Sequence, residues 1–382
     1  GVFIHDSGTS GNKVLGNYIG TDVTGTVDLG NTLAGVEVDS DAASNEIGGA
    51  IPGAGNLISG NEFGGILLES TANNLVQGNL IGTDVTGTLD LGNAGRGISI
   101  LGGATGNTIG GTTSAHLNVI SGNDSHGIEI SGATTTGNAI QGNYIGTDAA
   151  GMAELRNEGN GILLSSNLST VVGGTVAGAG NVISGNDNSG TTADGIYITG
   201  GGSHTVQGNY LGLAQDGSTV LGNYSSGVAI NSSTNNLIGG TTTAARNVIS
   251  GNDIGVSIVG TSSSNTVVGN YIGTDATGML DRGNDTDGVI IGSGSTGNTI
   301  GGTTVNDRNI ISGNDNDGIW ITGSGTDANT VQGNWIGLDA AGGALGNSYH
   351  GIGVQNGASD NLIGGTSAGD GNTIANNAWD GI

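Results

Sequence analysis

Apolar residues in this chain fall in short runs where every second position is apolar, the pattern of a strand with one buried face rather than of a helix. The pattern Gly-apolar-x-apolar starts at Gly1, Gly35, Gly65, Gly97, Gly127, Gly161, Gly195, Gly227, Gly255, Gly288, Gly318 and Gly351, with a period of about 31 residues. Two Asn-x-apolar runs follow each start. The second Asn is present in every unit: Asn17, Asn56, Asn79, Asn118, Asn143, Asn181, Asn209, Asn247, Asn270, Asn309, Asn334 and Asn372. The first is Asn12, Asn45, Asn74, Asn107, Asn138, Asn236, Asn265, Asn298, Asn329 and Asn361, with Thr170 and His204 in the other two units. The two columns are separated alternately by 5 and 11 residues along the whole chain. This predicts three short strands per unit, with a tight turn between the second and third strands in one unit and a longer connection in the next.

Units of this kind bury their apolar face by stacking, each strand about 4.8 Å above its equivalent in a parallel sheet. The expected fold class is all-β, a right-handed single-stranded parallel β-helix (β-solenoid) of about twelve coils, its hand following from the handedness of parallel connections. Asn at the bends would pass amide hydrogen bonds from coil to coil and satisfy polar groups buried at the corners. A longer motif, Gly-Asn-x-Ile/Leu-Gly, begins at Gly16, Gly78, Gly142, Gly208, Gly269 and Gly333. It groups residues 1–382 into one continuous solenoid of six double-coil repeats of about 63 residues, expected to be uncapped at both ends and to associate with other copies end to end.

Composition agrees with this and narrows the function. Gly accounts for 82 of 382 residues, Pro for one, and aromatics for 3%, so the core must be many equivalent layers of Ile, Val and Leu. The formal charge of −26 repels phosphate backbones and anionic lipid, arguing against nucleic acid as a partner. No apolar run is long enough to insert in a membrane. The charge suits Ca²⁺, although no cofactor is required, and the absence of Cys removes disulfides and thiolate metal sites.

Gly35-Val36-Glu37-Val38, Asn45-Glu46-Ile47-Gly48-Gly49 and Asn56-Leu57-Ile58-Ser59-Gly60-Asn61 give the chain its resemblance to bacterial secreted right-handed parallel β-helix repeat proteins, related in fold to pectate lyases. The resemblance covers essentially the whole chain and implies an extracellular or cell-surface location. The fold it implies hosts lyases, hydrolases, epimerases, adhesins and structural spikes. The Asp cluster with Gly-His-Gly and a basic pair shared by its hydrolases is absent as a unit, and the basic residues Lys13, Arg96, Arg156, Arg246, Arg282 and Arg308 are scattered.

Three constellations carry candidate chemistry. The residue before the first strand is Asp287, Asp317, His350 and Asp380 in four successive coils, with Asp285 and Asp315 two residues earlier and Trp320 facing outward. Stacking would bring these groups to roughly 5 Å from one another, where carboxylates share a proton or recruit a cation. Asp285, Asp287, Asp315 and Asp317 are therefore the candidate metal ligands, against the plainer reading that Asp-Gly makes a turn, as at Asp194-Gly195. Asp22 with Asp28, Asp84 with Asp90, Asp148 with Glu154 and Asp275 with Asp281 flank the loop after the third strand; turn capping or surface Ca²⁺ would explain them, and Ala214 and Val220 break the pattern in the fourth repeat. Tyr18, Tyr144, Tyr210, Tyr271 and Trp335 recur every second coil, about 9.6 Å apart, a pitch suited to stacking on sugars. The alternative is that each following loop folds over its ring, with Leu29, Leu91, Leu155, Leu221 and Leu345 packing on it.

These observations point to a non-enzymatic surface scaffold, an adhesin or filament segment. The alternatives are a polysaccharide-active enzyme working near Asp287, Asp317 and His350, and a glycan-binding module using the aromatic column.

Overall fold

A computed structural model of the chain describes residues 1–187 and 192–382. Its strands form three twelve-stranded sheets, each made of every third strand in sequence order, and every strand pairing is parallel. The architecture is the right-handed parallel β-solenoid expected from the alternating spacing. The first sheet runs from Val2–Ile4 to Ile352–Gln355, the second from Lys13–Val14 to Leu362–Ile363, and the third from Tyr18–Ile19 to Thr373–Ile374. Among the described residues no helix is long and apolar enough to cross a membrane.

Register is in phase along the axis, so like residues stack on like. In the first sheet Val36 pairs with Ile66, Ile66 with Ile98, and Ile98 with Ile128, all inward. Ile47 and Ile58 occupy the equivalent inward positions of the second and third sheets, and all these side chains are buried. One cluster of Ile, Val and Leu layers thus runs from Ile4 to Ile352. Each fully buried aliphatic side chain contributes roughly 1.5–3 kcal/mol through the area it removes from water.

Both expected Asn columns face inward as amide ladders. In the second, each side-chain amide from Asn17 to Asn334 donates to the Oδ1 of the next coil's Asn, for example Asn181 to Asn209 at 2.9 Å and Asn209 to Asn247 at 3.0 Å. The first runs from Asn12 to Asn138 and again from Asn236 to Asn361. Between those segments Thr170 donates its backbone N–H to His204 Nδ1 at 3.2 Å, and His204 donates its own to Asn236 Oδ1. The side-chain chain is therefore interrupted there.

A third ladder, not expected from the sequence, lies at the corner after the third strand. It links Asn31, Asn61, Asn93, Asn123, Asn157, Asn186, Asn223, Asn252, Asn284, Asn314, Asn347 and Asn377, with side-chain amide contacts of 2.8–3.3 Å. Five of its members belong to Ser-Gly-Asn, Asn377 ends an Ala-Asn-Asn in the same place, and the other six follow the variable loop, so alternating spacing hides a column that is continuous in space. Gly82 shows why glycine accompanies these corners: its φ is +86°, and a Cβ there would stand 2.3 Å from the Ser121 carbonyl oxygen.

Candidate functional site

The outer side of the third sheet alternates aromatic and aliphatic residues, because loops follow the third strand only in every second coil. Tyr144 pairs with Val182, Val182 with Tyr210, Tyr210 with Val248 and Val248 with Tyr271, and Ile310 separates Tyr271 from Trp335. Leu80 holds the position in the second repeat. All five predicted aromatic residues therefore lie on one face.

The loops over this face are built by the acids that flank them. Asp22 Oδ1 accepts the backbone N–H groups of Thr26 and Val27 at 3.1 Å, and Asp84 and Asp275 do the same in their loops at 3.0 Å. The Thr24 hydroxyl, with those amides, holds the Asp22 carboxyl below its ordinary value against partial desolvation. In the fourth repeat, where Ala214 replaces this Asp, Asp216 caps the loop through Ser218 and Thr219. Asp28, Asp90 and Asp281 turn the chain onward, as Asp28 does by accepting the Gly30 N–H at 2.8 Å.

Successive loops also bond to each other. Val85, Ala149, Gln215, Ala276 and Ala340 donate their N–H groups to Gly25, Gly87, Gly151, Gly217 and Gly278 at 2.8–3.0 Å. Gly25, Gly151, Gly217 and Gly278 lie against aromatic rings and Gly87 against Leu80: a Cβ on Gly151 would be 2.9 Å from the Tyr144 ring, and one on Gly217 3.1 Å from that of Tyr210. One side of each ring is thus closed by its loop. Of the leucines expected to cover the rings, Leu29 is exposed, Leu91, Leu155 and Leu345 are half-buried and Leu221 is buried, while Leu213, Ala276 and Ala340 join the cluster around Tyr210, Tyr271 and Trp335.

What covers the other side depends on the residue before the second Asn of the preceding coil. Arg246 lays its guanidinium over Tyr271 at 3.9 Å, and Arg308 covers Trp335 at 4.2 Å. Gly180 stands at the equivalent place beside Tyr210, and Leu117 beside Tyr144. An open groove results between these two rings, with Val182 in its floor and Thr113, Ser114 and Gln215 around it. The Tyr144 hydroxyl donates to Gln215 Oε1.

The candidate metal ligands divide into two kinds. Asp287 and Asp317 are buried, with 2% exposure, and each carboxylate accepts a backbone N–H from the coil above: Asp317 to Asp287 Oδ1 and His350 to Asp317 Oδ1, both at 2.9 Å. Asp194 accepts the Ser226 N–H in the same way. Burial, reinforced by the charges of Asp317 and Asp253, pushes the Asp287 carboxyl up to about 6 against its hydrogen bonds from Asp317 and Asn316. Asp285 and Asp315 are exposed, and the charges of Asp281 and Asp285 add to partial burial in raising the Asp315 carboxyl. Among the described residues no group of three or more His, Asp or Glu side chains has metal-holding geometry. Asp317 Oδ2 lies 2.9 Å from where a Cβ on Gly353 would stand, beside the half-buried Trp320.

No protein-family model matches the sequence, and no curated protein matches it. The structure is similar to the Dettilon tailspike protein, with 16% identity and a TM-score of 0.48 over 90% of this chain and 60% of that one. It is also similar to DFA-IIIase from Arthrobacter chlorophenolicus A6 in complex with GF2, at 13% identity, a TM-score of 0.41, and coverage of 98% and 87% of the respective chains. A third likeness is to the A-module of mannuronan C-5 epimerase AlgE6 from Azotobacter vinelandii, at 15% identity and a TM-score of 0.34, covering 99% and 83%. The chain spans about 60% of the tailspike's length. At these identities the likeness concerns the fold alone.

Proposed function

We propose that the chain is a non-enzymatic rod of the extracellular space or cell surface that holds polysaccharide along its third face. The observation supporting this reading is the aromatic column itself: rings two coils apart, set on a frame braced by amide ladders and held from behind by stacked loops. Rings fixed in this way lose little freedom when a flat sugar face stacks on them, which favours binding. The reading needs no cofactor. Ca²⁺ at Asp285 and Asp315 would be an addition to it, expected to raise the melting temperature and to be reversed by EDTA; identical melting with and without chelator removes that addition.

The alternative is a polysaccharide-active enzyme, favoured by the buried Asp287–Asp317 pair with its raised carboxyl beside Trp320 and His350. A glycan array with the intact chain, combined with product analysis, separates the two. The rod reading expects retention of extended polysaccharide without new reducing ends or unsaturated sugars. Product release abolished by Asp317→Asn would establish the enzyme instead. Neither binding nor products would overturn both.

A further inference from the structure

The groove between Tyr144 and Tyr210 differs from the face around Tyr271 and Trp335 in two respects, and from the uncharged groove beside Tyr18 and Leu80 in holding two aromatic rings rather than one. Its rings are not roofed by arginine, and its lining carries no charged side chain, although the chain as a whole has a formal charge of −26. The floor is low because Gly142, Gly180 and Gly208 stand in three successive coils just before Asn143, Asn181 and Asn209. Gly180 cannot carry a side chain without a shift of backbone, since a Cβ there would meet the Gly208 carbonyl oxygen at 1.9 Å. The connection before Asn181 therefore keeps the space open, whereas those ending in Arg246 and Arg308 fill it.

We propose that this groove is a binding site for a neutral, extended β-1,4-linked hexose chain lying along the solenoid axis. The proposal rests on the polysaccharide reading above and assigns it a place and a substrate class. Tyr144 and Tyr210, separated by one coil that contributes only Val182, lie about 9.6 Å apart, close to the disaccharide repeat of such a chain. Alternate sugars would thus present the same face to successive rings. Thr113 and Ser114 supply hydroxyls, and the Gln215 side chain supplies an amide, groups that exchange hydrogen bonds with sugar hydroxyls and require no charge on the ligand. A uronate polymer would bring carboxylates to a site with no cation to meet them, on a strongly acidic chain. Stacking on a tyrosine whose other face is held by its loop adds attraction without a further ordering cost.

Isothermal titration of the intact chain with cellohexaose, mannohexaose and hexagalacturonate tests the assignment. Saturable binding of a neutral hexaose and none of hexagalacturonate is expected. Tyr144→Ala and Tyr210→Ala should each weaken it at least tenfold, and Tyr224→Ala, an exposed tyrosine outside the groove, should leave it unchanged. Ser114→Trp places bulk at the exposed rim without touching the core and should block binding while melting stays as in the parent chain. Neutral-sugar binding that survives all three groove variants overturns the groove and leaves the polysaccharide reading standing. Preference for hexagalacturonate overturns the neutral class. Binding of no sugar overturns both the groove and the reading on which it rests.

Discussion

His204 occupies an asparagine's place in the first ladder, is 1% exposed, and uses Nδ1 to accept the Thr170 N–H. Among the described residues neither its Nε2 nor the Oδ1 of Asn167 has a hydrogen-bond partner. Burial lowers its pKa from 6.5 to about 4, so between those values the unfolded chain takes up a proton that the folded chain refuses. Stability should therefore fall as the pH drops from about 6.5 to 4, by on the order of 3 kcal/mol. His204→Asn should flatten this slope in melting curves recorded across that range; an unchanged slope would show that His204 is not its source. Asp287 has the opposite sign. Its raised carboxyl makes the folded chain the better proton binder between pH 3.8 and about 6, so ionisation costs stability above that window. Asp287→Asn, which keeps an oxygen for the Asp317 N–H, should raise the melting temperature at pH 7.5 and have little effect at pH 3.5. Its place was legible in the sequence as a column of stacked acids. Its burial was not, because the Asp-Gly spelling is the same for an exposed turn.

At the scale of the strand and loop, the two Asn columns read from the sequence are structural amides. Asn209→Leu should leave the Asn181 amide and the Val172 carbonyl without their partner and cost about 1–3 kcal/mol in chemical denaturation. Asn123→Leu should cost a similar amount by the same reasoning applied to the third ladder, and melting equal to that of the parent chain would count against buried stacking there. Strand number and register were legible because period-two alternation and the Gly-apolar-x-apolar start repeat in every coil. The third ladder escaped because its Asn residues arrive from two different sequence contexts, Ser-Gly-Asn in one coil and the end of a loop in the next. The covering of the aromatic rings escaped for another reason. It depends on single residues, Arg246 and Arg308 against Leu117 and Gly180, which a repeat pattern treats as variable positions.

For the whole molecule, stacking twelve coils gives a rod of about 58 Å whose stiffness comes from three parallel sheets and the ladders at their corners. Repetition makes each coil depend mainly on its neighbours, so the ladder interruption between Asn138 and Asn236 is where cooperativity should be weakest. Hydrogen exchange at pH 5 should show earlier opening around Thr170 and His204 than around Asn79 or Asn309. Uniform protection would contradict this. On such a frame the aromatic face has fixed spacing and its groove a fixed width, which links the repeat to the proposed polysaccharide binding. The most direct test is the fluorine spectrum of the intact chain labelled with 3-fluorotyrosine, recorded while neutral hexaose is added. The chain has seven tyrosines on different faces. The resonances of Tyr144 and Tyr210 should move together and saturate, while those of Tyr197, Tyr271 and Tyr349 stay in place. No movement in any resonance, or movement confined to Tyr197 and Tyr349, would contradict the account.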